Sequence, residues 1–342
     1  MDKNQLKEYQ IWAEAISTKI QNNKNLWEND YVKYANHLIA NEESYKIAKG
    51  KLRVGNNLFL YLPINVKENK KIFDIRYLGQ SVGTLTIDGN NRPCLTIDDT
   101  KKNELFQNYD LPQCKNIPWS CPFARKFKKF FRDYDYKKYY EKLNSKEAFL
   151  ESALYSELGK TSSKNKTLAQ IQPIKYARTR IHMITRTAAS KIGKTPNIAN
   201  VTISSSQPGR CQIDCFCRRK ANRTEARLVV IEIKDENKKK ESYEIVMYQA
   251  LTYAVFIREL LHSKGGDAWR KIWGISKQKK EGFIIEAVVA MPLIGESAPI
   301  FNGEKIYLQN KNNSSKPDCI ELHYIGITSL DNLDKIEFES SF

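Results

Sequence analysis

The chain has 342 residues, enough for two domains, because a single hydrophobic core usually stops growing near ~250–300 residues. Its 56 lysines and arginines outnumber its 39 acidic residues, and the resulting charge of +17 favours a polyanionic partner, with nucleic acid ahead of a membrane surface. No apolar run approaches the ~18 residues of a membrane span, which excludes a membrane protein and predicts a cytoplasmic one, nucleoid-associated where it binds DNA.

The first 110 residues indicate a small α+β accessory domain. Residues 4–22 place apolar side chains at helical intervals, and residues 26–48 predict a second helix. The pattern then changes to that of strands separated by Gly- and Asn-containing turns, at residues 58–62, 72–77 and 81–87. We expect residues 1–110 to recognise DNA or another partner.

Residues 111–143 form a connector in which basic and aromatic side chains alternate. Phosphate neutralisation and base stacking both use this mixture, so the segment predicts contacts with nucleic acid. The basic residues assigned to that role are Arg125, Lys126, Lys128, Lys129 and Arg132. Phe127 and Phe131 share a helical spacing, so a helix with one face in the core is an equally good interpretation, and the two are compatible.

Residues 144–342 order their elements as an α/β domain with a mixed sheet. A first helix is predicted with Asn144 or Ser145 as its cap and Gly159 at its end, and a longer helix is predicted at about 241–263. The predicted strands lie at about 199–204, 211–218, 226–234, 283–291, 305–309 and 319–326.

Three arginines precede the second of those strands. Arg178, Arg180 and Arg186 lie in a mixed segment that can meet the backbone of DNA. Plain surface charge is an equally good interpretation of them.

Charged side chains interrupt two of the apolar strands. Asp214 lies in the strand predicted at 211–218, and Glu232 lies 18 residues later near the end of the next strand. A bare carboxylate among such apolar neighbours costs several kcal/mol unless something compensates it. Because side chains alternate along a strand, Glu232 and Lys234 face the same side, and a hairpin lets Asp214 approach them.

Two carboxylates and an ammonium group at one place indicate a site for a divalent cation. Hard oxygen ligands that leave room for water and a phosphate oxygen favour Mg²⁺, with Mn²⁺ as a possible substitute. The metal would lower the pKa of a bound water and neutralise charge on a reacting phosphate. Lys234 would orient or help deprotonate that water, or hold the phosphate. Asp235 and Glu236 are interpreted as ordinary turn charges.

The run from Gly209 to Asp214, followed by the Glu232-Ile-Lys234 triplet, resembles the signature of the PD-(D/E)XK nuclease superfamily, which has the restriction-endonuclease-like fold. Gln249 and Tyr253 resemble the QxxxY element that some branches carry on the following helix. In that family an acidic residue of the first core helix helps to hold the metal, and the resemblance assigns Glu151 to that role, with Glu147 as the alternative. Ile213, not proline, precedes Asp214, a variation that the family tolerates.

The resemblance implies a mixed central sheet flanked by helices in residues 144–342, preceded by the α+β accessory domain. It implies a Mg²⁺-dependent DNA endonuclease acting in restriction, host defence or DNA processing. Asp214, Glu232 and Glu151 would hold the metal, and Lys234, Gln249 and Tyr253 would complete the catalytic set. A homodimer is expected if both strands are cut. The alternatives are a catalytically inactive nucleic-acid-binding protein of the same fold, a ribonuclease, and a structural protein whose charge is solubilising.

Overall fold

A computed structural model describes the chain except for residues 53–57, 64–70, 98–111, 135–145, 177–180, 206–210, 221–225, 236–240, 276–281, 294–300, 310–315 and 330–335. Within the described parts there are seven α-helices: α1 (Lys3–Asn22), α2 (Glu28–Ala40), α3 (Glu42–Lys51), α4 (Pro122–Asp133), α5 (Glu147–Glu157), α6 (Tyr243–Leu261) and α7 (Gly266–Ile272). The same parts contain thirteen strands: β1 (Leu58–Pro63), β2 (Ile72–Tyr77), β3 (Gln80–Ile87), β4 (Pro93–Ile97), β5 (Cys114–Pro118), β6 (Ile171–Pro173), β7 (His182–Ile184), β8 (Cys215–Lys220), β9 (Ala226–Ile233), β10 (Ile284–Pro292), β11 (Glu304–Leu308), β12 (Asp318–Ser329) and β13 (Glu337–Ser340).

The strands form two mixed sheets. The first has the order β5-β4-β3-β2-β1-β7, in which β1 and β7 are parallel and the other neighbours are antiparallel. The second has the order β11-β12-β10-β9-β8-β6, with β13 paired to β12. Its centre is parallel, because β10 runs parallel to both β9 and β12. The prediction of a mixed α+β chain is confirmed.

Helices cover both faces of the second sheet. Its central strands are apolar on both sides, as a sheet buried on two faces requires. Helix α6 covers one face and is itself buried almost all round, which its apolar sequence permits. Helix α5 covers the other face through Phe149, Leu150 and Leu154, which share a hydrophobic cluster with Val229 and Ile231.

The N-terminal third packs on the remainder of the chain, across the boundary predicted near residue 110. Helix α1 lies against α6, where Trp12 Nε1 donates to Thr252 Oγ1 at 2.9 Å and Ser17 Oγ donates to Glu259 Oε1 at 2.7 Å. Strand β1 pairs with β7, which belongs to the second half of the sequence. One continuous hydrophobic core includes residues of α1, the first sheet, α6 and the second sheet.

Most predicted elements are confirmed, but the single helix predicted at 26–48 is wrong. It is two helices, α2 and α3, separated at Asn41. The Asn41 side chain donates to the carbonyl oxygen of His37 at 2.8 Å, and its backbone N–H also bonds to that carbonyl. An asparagine that satisfies the last free carbonyls in this way ends a helix.

The strand predicted at 199–204 is also wrong. A short 3-10 turn, Ile198–Asn200, occupies its start, and Ile203 makes one isolated bridge to Ala189. The Asn197 side chain accepts from the backbone N–H of Ala199 at 2.9 Å. This local hydrogen bond favours a turn over an extended ladder.

Candidate active site

Asp214 lies one residue before β8, not in the middle of a strand as predicted. Its Oδ2 accepts a hydrogen bond of 2.8 Å from the backbone N–H of Ile233 in β9. The last backbone pair between the two strands joins Cys215 to Ile231, so the Asp214 carboxylate takes the place of the next backbone partner. This side-chain bond ends the ladder and fixes Asp214 beside the end of β9.

Glu232 and Lys234 are in direct contact at that end of β9. Lys234 Nζ donates to Glu232 Oε1 at 2.6 Å and to the carbonyl oxygen of Ile233 at 2.9 Å. Glu232 is 1% exposed, and its other oxygen, Oε2, has no hydrogen-bond partner among the described residues. A buried carboxylate oxygen without a partner is costly, so this atom is open to a cation or a water.

Helix α5 places two more carboxylates beside these residues. Glu147 and Glu151 are four residues apart and share a helix face. Glu147 Oε1 lies 3.8 Å from Lys234 Nζ, and Glu151 Oε1 lies 3.6 Å from Nη1 of Arg76 in β2. The face of α5 therefore runs between Lys234, which directly follows β9, and Arg76 in the first sheet.

Asp235 is not a turn charge, so that interpretation is wrong. It is 2% exposed, and its Oδ2 accepts from the backbone N–H groups of Lys146 and Glu147 at 2.6 and 3.2 Å. A carboxylate in this position caps the start of α5 and complements its dipole. The predicted caps, Asn144 and Ser145, lie outside the described residues.

Burial raises the pKa of two carboxyl groups of the site, those of Asp214 and Glu151. Burial first, and the Glu232 carboxylate second, raise the pKa of Asp214 well above the ordinary aspartate range. Burial raises the pKa of Glu151 to about 7, although the Arg76 guanidinium opposes the rise. Burial works to lower the pKa of Lys234, but the surrounding carboxylates, Glu232 first, raise it above the ordinary lysine value.

These groups carry an excess of negative charge when they are ionised. Five carboxylates and two basic side chains influence one another around the end of β9: Asp74, Glu147, Glu151, Asp214 and Glu232, with Arg76 and Lys234. A divalent cation would compensate this excess of negative charge. Its binding would displace protons from Asp214 and Glu151, the carboxyl groups whose pKa is raised. The hard oxygen donors of Asp214 and Glu232 fit such an ion.

Gln249 and Tyr253 lie buried on α6. Gln249 Oε1 accepts from the backbone N–H of Ile192, while Gln249 Nε2 and Tyr253 Oη have no hydrogen-bond partner in the described parts of the chain. Burial, and Glu232 as the next cause, raise the pKa of Tyr253. The two polar side chains therefore stand on the side of the sheet that Glu232 faces.

The basic residues predicted to bind nucleic acid divide into three groups. Helix α4 has Phe127 and Phe131 in the core and an exposed basic face with Arg125, Lys126, Lys129 and Arg132. Lys128 is half-buried, with its Nζ 4.5 Å from the centre of the Trp119 ring. Arg186 makes an isolated backbone bridge to Gln212, two residues before Asp214, while Arg178 and Arg180 lie outside the described residues.

A second group of potential metal ligands lies in the second sheet, away from the end of β9. In the described part of the chain, the one set of three acidic or histidine ligand atoms within 4.8 Å of one another belongs to Glu286, Glu321 and His323. These residues lie on β10 and β12, and both carboxylates are already paired with arginines: Glu286 with Arg219 and Arg227, and Glu321 with Arg227. The two arginines already neutralise the negative charge of these carboxylates, and a metal ion would have to displace them in order to bind.

Arg76, with its partner Asp74, and Asp235 are the residues of the site that sequence reasoning missed. Arg76 alternates with buried residues along β2, as a charged residue on any exposed sheet face does. Asp235 follows the Glu232-Ile-Lys234 triplet directly and is followed by polar residues, so it has the pattern of a turn. Neither residue carries a local signal of its distant partner.

No family model, curated protein or solved structure matches this chain. Among the described helices, none combines the length and the apolar character that a bilayer crossing requires.

Proposed function

We propose that the chain is a metal-dependent endonuclease of the PD-(D/E)XK superfamily that hydrolyses DNA. The observation that carries the proposal is the cluster at the end of β9. Asp214 is held to the backbone of β9, and Lys234 contacts Glu232 at 2.6 Å, while one Glu232 oxygen remains without a partner among the described residues. Two hard oxygen donors beside an ammonium group suit hydrolysis of a phosphodiester.

Each side chain has a separate task in this reaction. Mg²⁺, or Mn²⁺ in its place, would be held by Asp214 and Glu232 and would activate a water and neutralise charge on the phosphate. Lys234 remains protonated because of the carboxylates around it, so it donates to the attacking water or to a phosphate oxygen. Gln249 and Tyr253 offer polar atoms without hydrogen-bond partners in the described chain on the Glu232 side.

The charge of the protein supports a nucleic acid substrate. The overall charge is +17, and the exposed face of α4 is basic. The buried face of that helix contacts β2, where the rings of Phe131 and Tyr77 are 5.0 Å apart. Tyr77 directly follows Arg76, so the basic face is attached to a strand that reaches the site.

Cleavage of supercoiled plasmid tests the proposal. We expect nicking or linearisation with Mg²⁺, none with EDTA, and a loss of at least ~100-fold in Glu232→Gln and Lys234→Ala. Glu43→Gln is the matched control, because that carboxylate is 77% exposed on α3. DNA binding is expected to persist in the two inactive variants.

Three results would favour the other functions. Salt-sensitive DNA binding without cleavage by the wild type would indicate an inactive binding protein, and cleavage of RNA alone would indicate a ribonuclease. No salt-sensitive binding to either polymer would indicate a structural protein.

Cleavage of both DNA strands would call for two active sites, so we propose a homodimer for that activity. Sedimentation during cleavage tests it, and a monomer that makes double-strand breaks would contradict it. Restriction, host defence and DNA processing are the settings that the resemblance suggests.

A further inference from the structure

The hairpin formed by β2 and β3 carries a residue of the first sheet into the candidate active site. Its turn contains Gly79, which has a φ of +77° and packs against the start of α5. A Cβ at Gly79 would collide with the carbonyl group of Ala148. The hairpin therefore packs directly on the first turn of α5, which carries Glu147, and Arg76 of the hairpin lies near Glu151 on the next turn.

Arg76, on β2 of this hairpin, has a fixed orientation. Its Nε donates to Asp74 Oδ2 at 2.8 Å, and Asp74 Oδ1 in turn accepts from the hydroxyl of Ser81. The guanidinium carbon lies 4.7 Å from the centre of the Tyr61 ring. With one edge bonded and one face stacked, the guanidinium loses little further freedom when it binds a ligand.

The other edge of the guanidinium faces the site. Nη1 lies 3.6 Å from Glu151 Oε1, beyond a good hydrogen bond, and neither Nη group forms a hydrogen bond to a described residue. A guanidinium has five N–H donors, and one is used at Nε. The Arg76 side chain is 14% exposed, so its Nη donors are held in a largely buried place.

We propose that Arg76 binds an oxygen of the substrate phosphodiester, so that the N-terminal sheet supplies a substrate-binding residue to the nuclease site. This inference rests on the proposed function. An oriented guanidinium suits this ligand, because its paired N–H groups match two phosphate oxygens. The opposing interpretation is that Arg76 only ties Glu151 to the first sheet.

The first measurement is steady-state cleavage of double-stranded DNA with Mg²⁺. We expect Arg76→Ala to lower kcat about 100-fold, as loss of a donor to the reacting group does. We expect Arg76→Lys, which keeps the positive charge but loses the paired N–H donors of the guanidinium, to lower kcat about tenfold. Arg92→Ala is the matched control, because Arg92 is 63% exposed and pairs with Asp88 in the turn between β3 and β4.

The second measurement is DNA affinity as a function of salt, in EDTA and in the Glu232→Gln background, which is expected to bind without cutting. Loss of one phosphate contact reduces the slope of log affinity against log salt by about 1. We expect this reduction for Arg76→Ala and not for Arg76→Lys. A residue that only positions Glu151 would leave the slope unchanged.

The outcomes separate the inference from the proposed function. An unchanged salt slope in Arg76→Ala overturns the inference, whatever happens to kcat. Wild-type kcat in Arg76→Lys overturns it as well, and that variant decides the matter if Arg76→Ala fails to fold. If the wild type does not cleave but the slope falls in Arg76→Ala, the proposed function fails while Arg76 remains a phosphate ligand.

Discussion

Asp235 connects the end of β9 to the start of α5. Its carboxylate accepts from two backbone N–H groups of that helix, and it follows Lys234 directly. We expect Asp235→Ala to lower the free energy of unfolding by about 1–2 kcal/mol, the usual effect of losing an N-terminal cap. Urea denaturation measures this, with the exposed Asp133→Ala as control. Equal stability of the two variants would contradict the capping role.

The raised pKa of Glu151 makes the stability of the folded protein depend on pH. Its value of about 7 exceeds the ordinary 4.5, so the folded state binds the proton more tightly than the unfolded state. The stabilisation from this proton is complete below about pH 4.5 and is lost as the pH rises through 7.

Glu151→Gln mimics the protonated acid at every pH and removes this dependence. In EDTA, we expect the stability of the variant relative to wild type to rise by about 2.5 kcal/mol between pH 5 and pH 8. Urea unfolding of both proteins at the two pH values measures the change, with Glu43→Gln as an exposed control. A difference that does not vary with pH would show that Glu151 is ionised throughout.

The sequence was informative about single residues where a charge interrupts an apolar run. Asp214 and Glu232 stand out in that way, and the structure places them together with Lys234. Asp235 does not stand out, because its partners are 88 and 89 residues away and nothing near it reveals them. Arg76 alternates with buried neighbours, a pattern that an ordinary solvent-facing strand shares.

The two faces of helix α4 correspond to its two predicted roles, packing in the core and contact with nucleic acid. Phe127 and Phe131 are in the core, and the basic side chains on the opposite face are exposed. The interpretation of α4 as a helix with one face in the core is confirmed, and contact of its basic face with nucleic acid stays a prediction.

Removal of three charges from that face gives the measurement. We expect the triple change of Arg125, Lys129 and Arg132 to glutamine to lower the salt slope of DNA binding by about 2–3, because each contact to a phosphate contributes about 0.9. The melting temperature is expected to stay the same, since the three side chains are exposed. The control is the triple glutamine change of Lys3, Lys7 and Lys33, which are exposed on α1 and α2. Equal slopes in both triples would assign the binding to another surface.

Elements with strong periodicity were predictable, and those set by a single polar side chain were not. The long helix and the central strands follow from runs of apolar residues. The break at Asn41 and the turn capped by Asn197 each depend on one local hydrogen bond. The start of β8 depends on the Asp214 carboxylate, which replaces a backbone partner.

At the scale of the molecule, α1 completes the burial of α6. The side chains of Tyr9, Trp12 and Ile16 are buried, and α1 also satisfies buried polar groups of α6, since Ser17 bonds to Glu259. This arrangement followed from no pattern in either segment, because an amphipathic helix does not specify which face it will cover. The boundary near residue 110 was inferred from a change in the sequence pattern. Such a change carries no information about contacts between the residues before it and those after it.

Expression of residues 144–342 alone tests whether they fold without α1. We expect no cooperative thermal transition by circular dichroism, because α6 would expose apolar surface and the buried Glu259 would lose its partner Ser17. The full chain is the control. A cooperative transition at the same temperature in both would establish residues 144–342 as an independent domain.

The contact between α1 and α6 also has a consequence for synthesis of the protein on the ribosome. Trp12 and its partner Thr252 are 240 residues apart. Because translation proceeds at ~5–20 residues per second, the apolar face of α1 stays uncovered for roughly 10–50 s until α6 has been synthesised. During that time it is available to chaperones and to other nascent chains, so we expect the yield of folded protein to depend on translation rate and temperature.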